Sequence, residues 1–385
     1  MSWWSNEFPL ILFWICLILP VYVYLGYPLL LLSGLLGRCG PVRRTELCPT
    51  VSIIVPAYNE EKTIARKIRN LLALDYPRNC LQILIGNDGS SDRTAEIVRS
   101  FADQGLILID VGARRGKSAI QNDLVTRSSG SILFFTDADS LLPRDAIRTL
   151  VQNFSDPRVG LVTSWPIFLN TNANSIVQNE TFYWRYEHWL RQQESDRGLL
   201  AMASGLLFAL RRQLWEPLDP TVGDDFVLPL QVALRGFRNV VDPLCSARTE
   251  LTQTQPNSMF RMKMRIISKD LRGLLSHLEV LNPFRTGAIA VGLLSHKLLR
   301  WFVPYALLGL FLSNLVLFRK SFYAFFFVAQ IVFYLFAIAG VRFGRGRTRL
   351  PLSAASSFCL VNLAALFGTL HCLCGRSMGQ WKTVR

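Results

Sequence analysis

Between Phe8 and Leu36 the chain carries no charged residue, and no other feature restricts its fold as much. The stretch exceeds the ~20 residues that cross a bilayer as a helix. With no water in hydrocarbon to satisfy its backbone, such a segment is expected to be helical. A cleavable leader is not expected: no Lys or Arg precedes it, and it is much longer than an h-region. Glu7 lies before it, while Arg38, Arg43 and Arg44 follow. The bias of basic residues toward the cytoplasm predicts an outside N-terminus, with everything after Gly37 cytoplasmic.

Further spans are expected at Trp301–Phe318, Phe322–Val341 and Ser353–Cys374. Arg319 and Lys320 sit in a short loop, and Arg342, Arg345, Arg347 and Arg349 form a denser cluster predicted to lie inside. For the last segment two topologies stay open. A fourth span would leave Arg376, Lys382 and Arg385 outside, against the rule; a re-entrant or interfacial segment would not. Half of the 385 residues are hydrophobic, enough for one soluble core plus these segments. The expected organisation is a spanning helix over 1–37, a soluble domain over 50–255 and amphipathic interface helices over 256–300. A membrane region over 301–374 and a basic tail over 375–385 complete it.

The net charge of +15 raises the question of a nucleic acid. Many of the basic residues flank apolar segments, where anionic lipid explains them, and no nucleic-acid motif is present. The eight cysteines show no metal-ligand spacing, and in a cytoplasmic domain they are expected to be reduced.

In the soluble stretch, short apolar runs at Thr50–Val55, Leu81–Ile85, Leu106–Ile109 and Ile132–Phe135 read as strands. Helical patterns at Glu61–Leu74, Thr94–Ala102 and Ser118–Val125 separate them. Alternation of this kind means parallel βαβ units in an open, doubly wound α/β sheet, where ligands bind at the carboxyl ends of strands. Polar clusters fall at each of those ends. The run Ile132–Phe135 stops at Asp137 and Asp139, two carboxylates one residue apart that can grip a hard divalent cation and, through it, phosphate oxygens. Tyr58 offers an aromatic face and Glu60 a carboxylate after the first strand; Asp88 can accept from a base or ribose. Arg114-Arg-Gly-Lys117 brings cations suited to a diphosphate. Each cluster alone also reads as capping, a tight turn or a solvated loop; their common edge is what chance does not supply.

Val51-Ser-Ile-Ile-Val-Pro-Ala-Tyr-Asn-Glu60, Asn87-Asp-Gly-Ser-Ser-Asp-Arg-Thr94, Arg115-Gly-Lys117 and Thr136-Asp-Ala-Asp139 resemble the successive motifs of family 2 glycosyltransferases. The resemblance is nearest to the membrane-embedded synthases of cellulose, chitin, hyaluronan and poly-N-acetylglucosamine, over roughly residues 50 to 300. It implies a GT-A nucleotide-sugar fold, an inverting mechanism and a Mg²⁺ or Mn²⁺ ion. By that resemblance Tyr58, Glu60 and Asp88 contact the nucleoside, Lys117 the nucleotide, and Asp137 and Asp139 the diphosphate and its metal.

Inverting transfer also needs a base for the attacking hydroxyl. Gly223-Asp-Asp-Phe-Val-Leu-Pro-Leu230 supplies carboxylates at a helix start, where the family has Thr-Glu-Asp with the last Asp as base. The role carries to Asp225, with Asp224 in the place of Glu; ordinary N-terminal capping is the alternative. Ala203-Ser-Gly205 matches the family's small-residue segment beside the acceptor, and Gly86 and Gly236 read as packing or turn glycines. Phe182, Tyr183, Trp184, Tyr186 and Trp189 are suited to stacking on sugars, to headgroup anchoring or to a core.

One departure matters. Processive synthases carry Gln-x-x-Arg-Trp where this chain has Met262, Arg265 and Ile266. Arg265 can still stabilise a leaving diphosphate, or be a snorkelling cation of a helix over Met259–Leu278 lying in the headgroup plane. The missing Trp bears on processivity, not on transfer.

The expected function is inverting transfer of a sugar from a nucleotide-sugar donor, UDP-linked, to a glycan acceptor, as in polysaccharide synthesis. The catalytic domain faces the cytoplasm from a plasma or inner membrane, and an accessory subunit is a possible further partner. Transfer of a single sugar to a lipid-linked acceptor is the nearest alternative. A non-catalytic membrane partner is the alternative of another class, opposed by the joint presence of Asp137, Asp139 and Asp225.

Overall fold

The computed structural model describes residues 7–37, 39–169, 175–250, 255–343 and 350–375, without the side chains of 175–183, 343, 350 and 351. Arg38, the basic residues at 345–349 and 376–385, and the side chains of Phe182 and Tyr183 fall outside the described residues.

The apolar runs pair as one seven-stranded sheet in the order β3-β2-β1-β4-β6-β5-β7. The strands are β1 (Val51–Ala57), β2 (Leu81–Asp88), β3 (Leu106–Val111), β4 (Ile132–Thr136), β5 (Val159–Phe168), β6 (Leu207–Arg211) and β7 (Arg238–Thr249). The soluble domain's helices are α2 (Ile64–Leu72), α3 (Thr94–Arg99), α4 (Lys117–Thr126), α5 (Ala146–Val151), α6 (Ser175–Asp196), α7 (Asp224–Leu234) and α8 (Pro256–Leu275). The long apolar helices α1 (Phe8–Leu32), α9 (Ala288–Leu317), α10 (Ser321–Phe343) and α11 (Leu350–Leu373) flank it.

β1 to β4 are parallel, as the alternation predicts. The doubly wound pattern ends there, because β6 runs antiparallel to both β4 and β5. Its reversal has a consequence for the site. Leu207 pairs with Thr136, so the residues leading into β6 lie beside those leaving β4. Only a strand of reversed direction brings Ala203–Leu206 to the edge where Asp137 emerges.

The two faces of the sheet bury separate apolar layers. Ile53, Val55, Ile83, Ile85 and Phe134 face α2 and α5, while Ile54, Leu84, Leu133 and Phe135 face α4 and α7. Packing on the second face is close. A methyl at Gly86 would sit 2.2 Å from Ile120 Cγ2, so this glycine is a packing glycine; Gly236, with φ +79°, is a turn glycine. Leu271 and Leu274 of α8, Leu293 and Trp301 of α9 and Cys372 of α11 extend the same layer, so the soluble core runs into the apolar helices without a break.

Four helices are long and apolar enough to cross a membrane: Phe8–Leu32, Ala288–Leu317, Ser321–Arg342 and Leu352–Leu373. Their outward residues, among them Ile18, Leu25, Val316 and Phe325, are exposed apolar side chains. The second of these segments begins before the expected Trp301. Its first turns contain His296, Lys297 and Arg300, which interrupt the apolar pattern, but two of these cations have buried carboxylate partners. His296 Nδ1 lies 2.8 Å from Glu194 Oε1, and Arg300 donates to Glu187 Oε2 at 3.1 Å. Tyr27 of α1 donates to the same Glu194 oxygen at 2.7 Å, so α1, α6 and α9 are tied by one polar network. One face of α8 enters the soluble core, and the other is pressed against α11 so closely that a methyl at Gly368 would stand 2.8 Å from the Met264 carbonyl.

Candidate active site

Every parallel strand delivers its following residues to one edge. After β4, Asp137 and Asp139 stand half-buried above a turn held from beneath by Lys67. That lysine is fully buried on α2, and its Nζ donates to Thr136 Oγ1 at 2.7 Å, the Ser140 carbonyl at 2.9 Å and Ser140 Oγ at 3.0 Å. Burial pulls its pKa down to about 7, against the opposing pull of Asp137 and Asp139.

Lys117, at the start of α4, bridges two carboxylates. Its Nζ lies 2.9 Å from Asp137 Oδ1 and 3.2 Å from Asp224 Oδ1. Burial opposes its charge, but Asp137 and Asp224 outweigh this and raise its pKa. Asp224, buried at the N-terminus of α7, also accepts from Gln121 Nε2 at 2.7 Å. Despite the cost of burial, Lys117 and Gln121 hold it below the ordinary carboxylate range.

Asp225 is treated differently. Among the described residues no hydrogen bond reaches its carboxylate. A methyl at Gly205 would lie 3.3 Å from its Oδ2 and 3.7 Å from Asp137 Oδ2; the Ala203–Gly205 segment thus lets the two carboxylates converge over bare backbone. Ala203 N fixes this segment to the Asp225 carbonyl at 2.8 Å. Burial, then Asp224 and Asp137, push Asp225 up to about 6.

Residues 52–218 match the profile of the family described as Glycosyl transferase family 2. The chain carries a family 2 glycosyltransferase domain. Over 202 residues it is 27% identical to the poly-beta-1,6-N-acetyl-D-glucosamine synthase of Staphylococcus aureus, a match over 50% of this chain and 48% of that protein. It is 30% identical over 203 residues to the probable glycosyltransferase YdaM of Bacillus subtilis, covering 49% and 48%. The match therefore spans about half the length of these curated relatives. In architecture the chain is similar to the mannosyltransferase PcManGT of Pyrobaculum calidifontis, solved with GDP-Man and Mn²⁺. The TM-score is 0.71 at 22% identity, over 94% of this chain and 99% of that one. The fold is that of GT-A glycosyltransferases, with flanking apolar helices.

Of the other predicted residues, Tyr58, Glu60 and Asp88 lie within the matched stretch and Arg265 lies beyond it. The Tyr58 ring lies beneath the Arg114 guanidinium, 3.9 Å from carbon to ring centroid. Asp88 is buried, and its two oxygens accept from Arg115 N at 2.7 Å and Gly116 N at 2.9 Å, so it holds the basic loop. Glu60 is 1% exposed; Thr63 donates to its carboxylate, and its own amide donates to Thr94 Oγ1 at 2.7 Å. It lies beneath the cleft rather than on its surface. Arg265, on α8, is half-buried, and burial and Arg114 lower its pKa. Lys269, one turn on, is lowered by burial and Arg265. Arg114, Arg265, Lys269 and Lys117 thus form one cationic side.

The strand-end pair suits a hard divalent cation. Two carboxylates one residue apart supply oxygen ligands, and among the described residues no third His, Cys, Asp or Glu completes a protein-only cage. Mg²⁺-type sites in phosphate chemistry are built this way, with substrate oxygens and water filling the remaining positions.

Lys67, Gln121, Lys269 and Asp270 join the site from outside the residues that the sequence motifs single out. Two of them had a signal. Lys67 is three residues after Ile64 and four before Leu71, and Asp270 is three after Ile267 and four before Leu274, so both sit on buried helical stripes.

Proposed function

We propose that this chain is an inverting, divalent-cation-dependent membrane glycosyltransferase. It takes a nucleotide-activated sugar, UDP-linked, at the cytoplasmic face and transfers it to a glycan acceptor. The observation that carries this reading is the Asp225 carboxylate, without a hydrogen bond among the described residues and converging with Asp137 on Gly205.

In this reading the acceptor hydroxyl donates to Asp225 and loses its proton to it as the new bond to the anomeric carbon forms. The bond from that carbon to the diphosphate breaks on the opposite side. A pKa near 6 leaves Asp225 ionised at neutral pH yet more basic than an ordinary aspartate. Asp224, paired with Lys117 and Gln121, fixes the start of α7 and supplies part of the charge that raises its neighbour. Tyr58 and Asp88 face the nucleoside, with Glu60 supporting their loop from below. Lys117, Arg265, Arg114 and Lys269 face the diphosphate. Mg²⁺ or Mn²⁺, when held by Asp137 and Asp139, supplies further charge neutralisation of the leaving group.

A second reading, transfer of one sugar to a lipid-linked acceptor, is favoured by Ile266 and Met262 standing where processive synthases have Trp and Gln. Ile266 is 44% exposed and offers no ring for a chain-end sugar.

The test uses full-length protein in nanodiscs with Mg²⁺ or Mn²⁺, a panel of labelled UDP- and GDP-sugars, and sizing of the product. A carbohydrate-only ladder is expected. One sugar on an organic-soluble lipid selects the second reading. No metal-dependent turnover with any donor, with or without a membrane extract, defeats both.

A further inference from the structure

The helix α8 carries a carboxylate that the transfer mechanism does not use. Asp270 is 8% exposed, on the same stripe as Ile267, Leu271 and Leu274, and it reaches into the space beside Asp225. A methyl placed on Gly223 would lie 3.3 Å from Asp270 Oδ1 and 3.2 Å from Asp225 Oδ1. The opposite oxygen of Asp225 faces Gly205 and Asp137. Asp137, Asp225 and Asp270 therefore stand in a row, from the strand-end pair toward α8 and α9.

Other buried carboxylates in this chain have donors from the protein: Asp88 from the basic loop, Asp224 from Gln121, and Glu194 from Tyr27. Asp270 has none; among the described residues no hydrogen bond or ion pair reaches it. Lys269, and Lys297 of α9, act on it only through space. Its oxygens are not sealed from solvent, so a ligand's donor can take the place of the water that reaches them.

The chemistry of that ligand follows from having two adjacent carboxyls. A hydroxyl both donates and accepts, so it satisfies Asp270 whether or not that group holds a proton. A second hydroxyl on the neighbouring carbon can donate to Asp225. A fully ionised phosphate, having no proton to give, satisfies only a protonated Asp270 and leaves Asp225 with no donor, beside an added negative charge. We propose that Asp270 is an acceptor-binding residue, which with Asp225 brackets two neighbouring hydroxyls of a sugar acceptor and excludes a lipid phosphate as nucleophile. The proposal rests on the reading of Asp225 as the base.

The experiment is steady-state kinetics on the full chain in nanodiscs. The pair tested first is UDP-N-acetylglucosamine with a β-1,4-linked N-acetylglucosamine tetrasaccharide, whose reacting O4 has the O3 hydroxyl on the next carbon, or the donor and a sugar acceptor with two such hydroxyls selected by the panel above. Asp270→Asn keeps the shape of the side chain. It is expected to raise the acceptor KM about ten- to a hundredfold, the scale of one hydrogen bond to a charged group. The donor KM and the hydrolysis of donor by water should change by less than about twofold. An acceptor lacking the hydroxyl next to the reacting one should reproduce that loss on the unmodified enzyme and lose nothing more on Asp270→Asn. The first half of this arm needs no altered protein.

An unchanged acceptor KM, a parallel fall in donor hydrolysis, or efficient transfer to polyprenyl phosphate would each overturn the proposal. The base assignment fails separately, if Asp225→Asn keeps both hydrolysis and transfer.

Discussion

Asp88, Asp137 and Asp224, on the nucleotide side in the proposed reading, each have protein donors between 2.7 and 3.2 Å. Asp225 and Asp270 meet beside Gly223, and no hydrogen bond reaches either carboxylate among the described residues. One half of the site is preorganised by the chain itself. The other half presents lone pairs, which in the proposed reading receive the acceptor's hydroxyls. The division is the one a transferase needs, because a developing diphosphate charge is best met by fixed cations and dipoles. A nucleophile must arrive carrying its own proton.

The largest effect should come from the open half. Asp225→Asn is expected to lower kcat by about 10²- to 10⁴-fold, the usual value of a general base. Melting temperature should be unchanged or slightly raised, since no bond is lost and a carboxylate beside Asp224 is neutralised. Initial rates and a thermal melt on the same sample check both halves of the statement.

The closed half should respond in the opposite manner. Asp224→Ala leaves Lys117 and Gln121 without one of their partners, and breaking a buried pair from one side costs about 3–5 kcal/mol. Chemical denaturation should show that loss together with weaker nucleotide binding. Stability unaffected by this change would erase the contrast between the halves.

The pH dependence sharpens the comparison without a mutation. Asp225 works as the carboxylate, and its pKa is raised to about 6. Activity should therefore be full above about pH 7 and fall through pH 6 toward acid, by about tenfold per unit as the base takes up its proton. An acid limb near pH 4 would mean that the working carboxylate is an ordinary one. The smallest effect is expected from Gly205→Ala, whose methyl would stand 3.3 Å from Asp225 Oδ2. It should slow transfer severalfold and leave nucleotide binding, measured by titration, where it was.

The nucleotide half was the more legible in the sequence, for a physical reason. A buried parallel strand is a continuous apolar run, and the polar residue that ends it is nearly forced to the ligand edge. Asp88, Lys117, Asp137 and Asp139 could be placed at one edge on that ground. The direction of β6 could not, because an antiparallel strand buried on both faces has the same apolar pattern as a parallel one. Asp270 and Lys67 were hidden by the opposite effect. Each is a charged residue within a helix and belongs to no motif, although its spacing to Ile267 and Leu274, or to Ile64 and Leu71, puts it on the buried face. The start of α9 was obscured by His296, Lys297 and Arg300, since a hydropathy pattern cannot register that Glu187 and Glu194 receive two of them.

The central claim is a single displacement in which Asp225 removes the acceptor's proton while the diphosphate leaves from the far side. The anomeric configuration of the first-formed product tests it most directly, read by proton NMR on full-length enzyme with an α-linked nucleotide-sugar donor and a sugar acceptor. The account predicts a β-linked product. An α-linked product would mean two displacements or a front-side route, and would contradict the role given to Asp225.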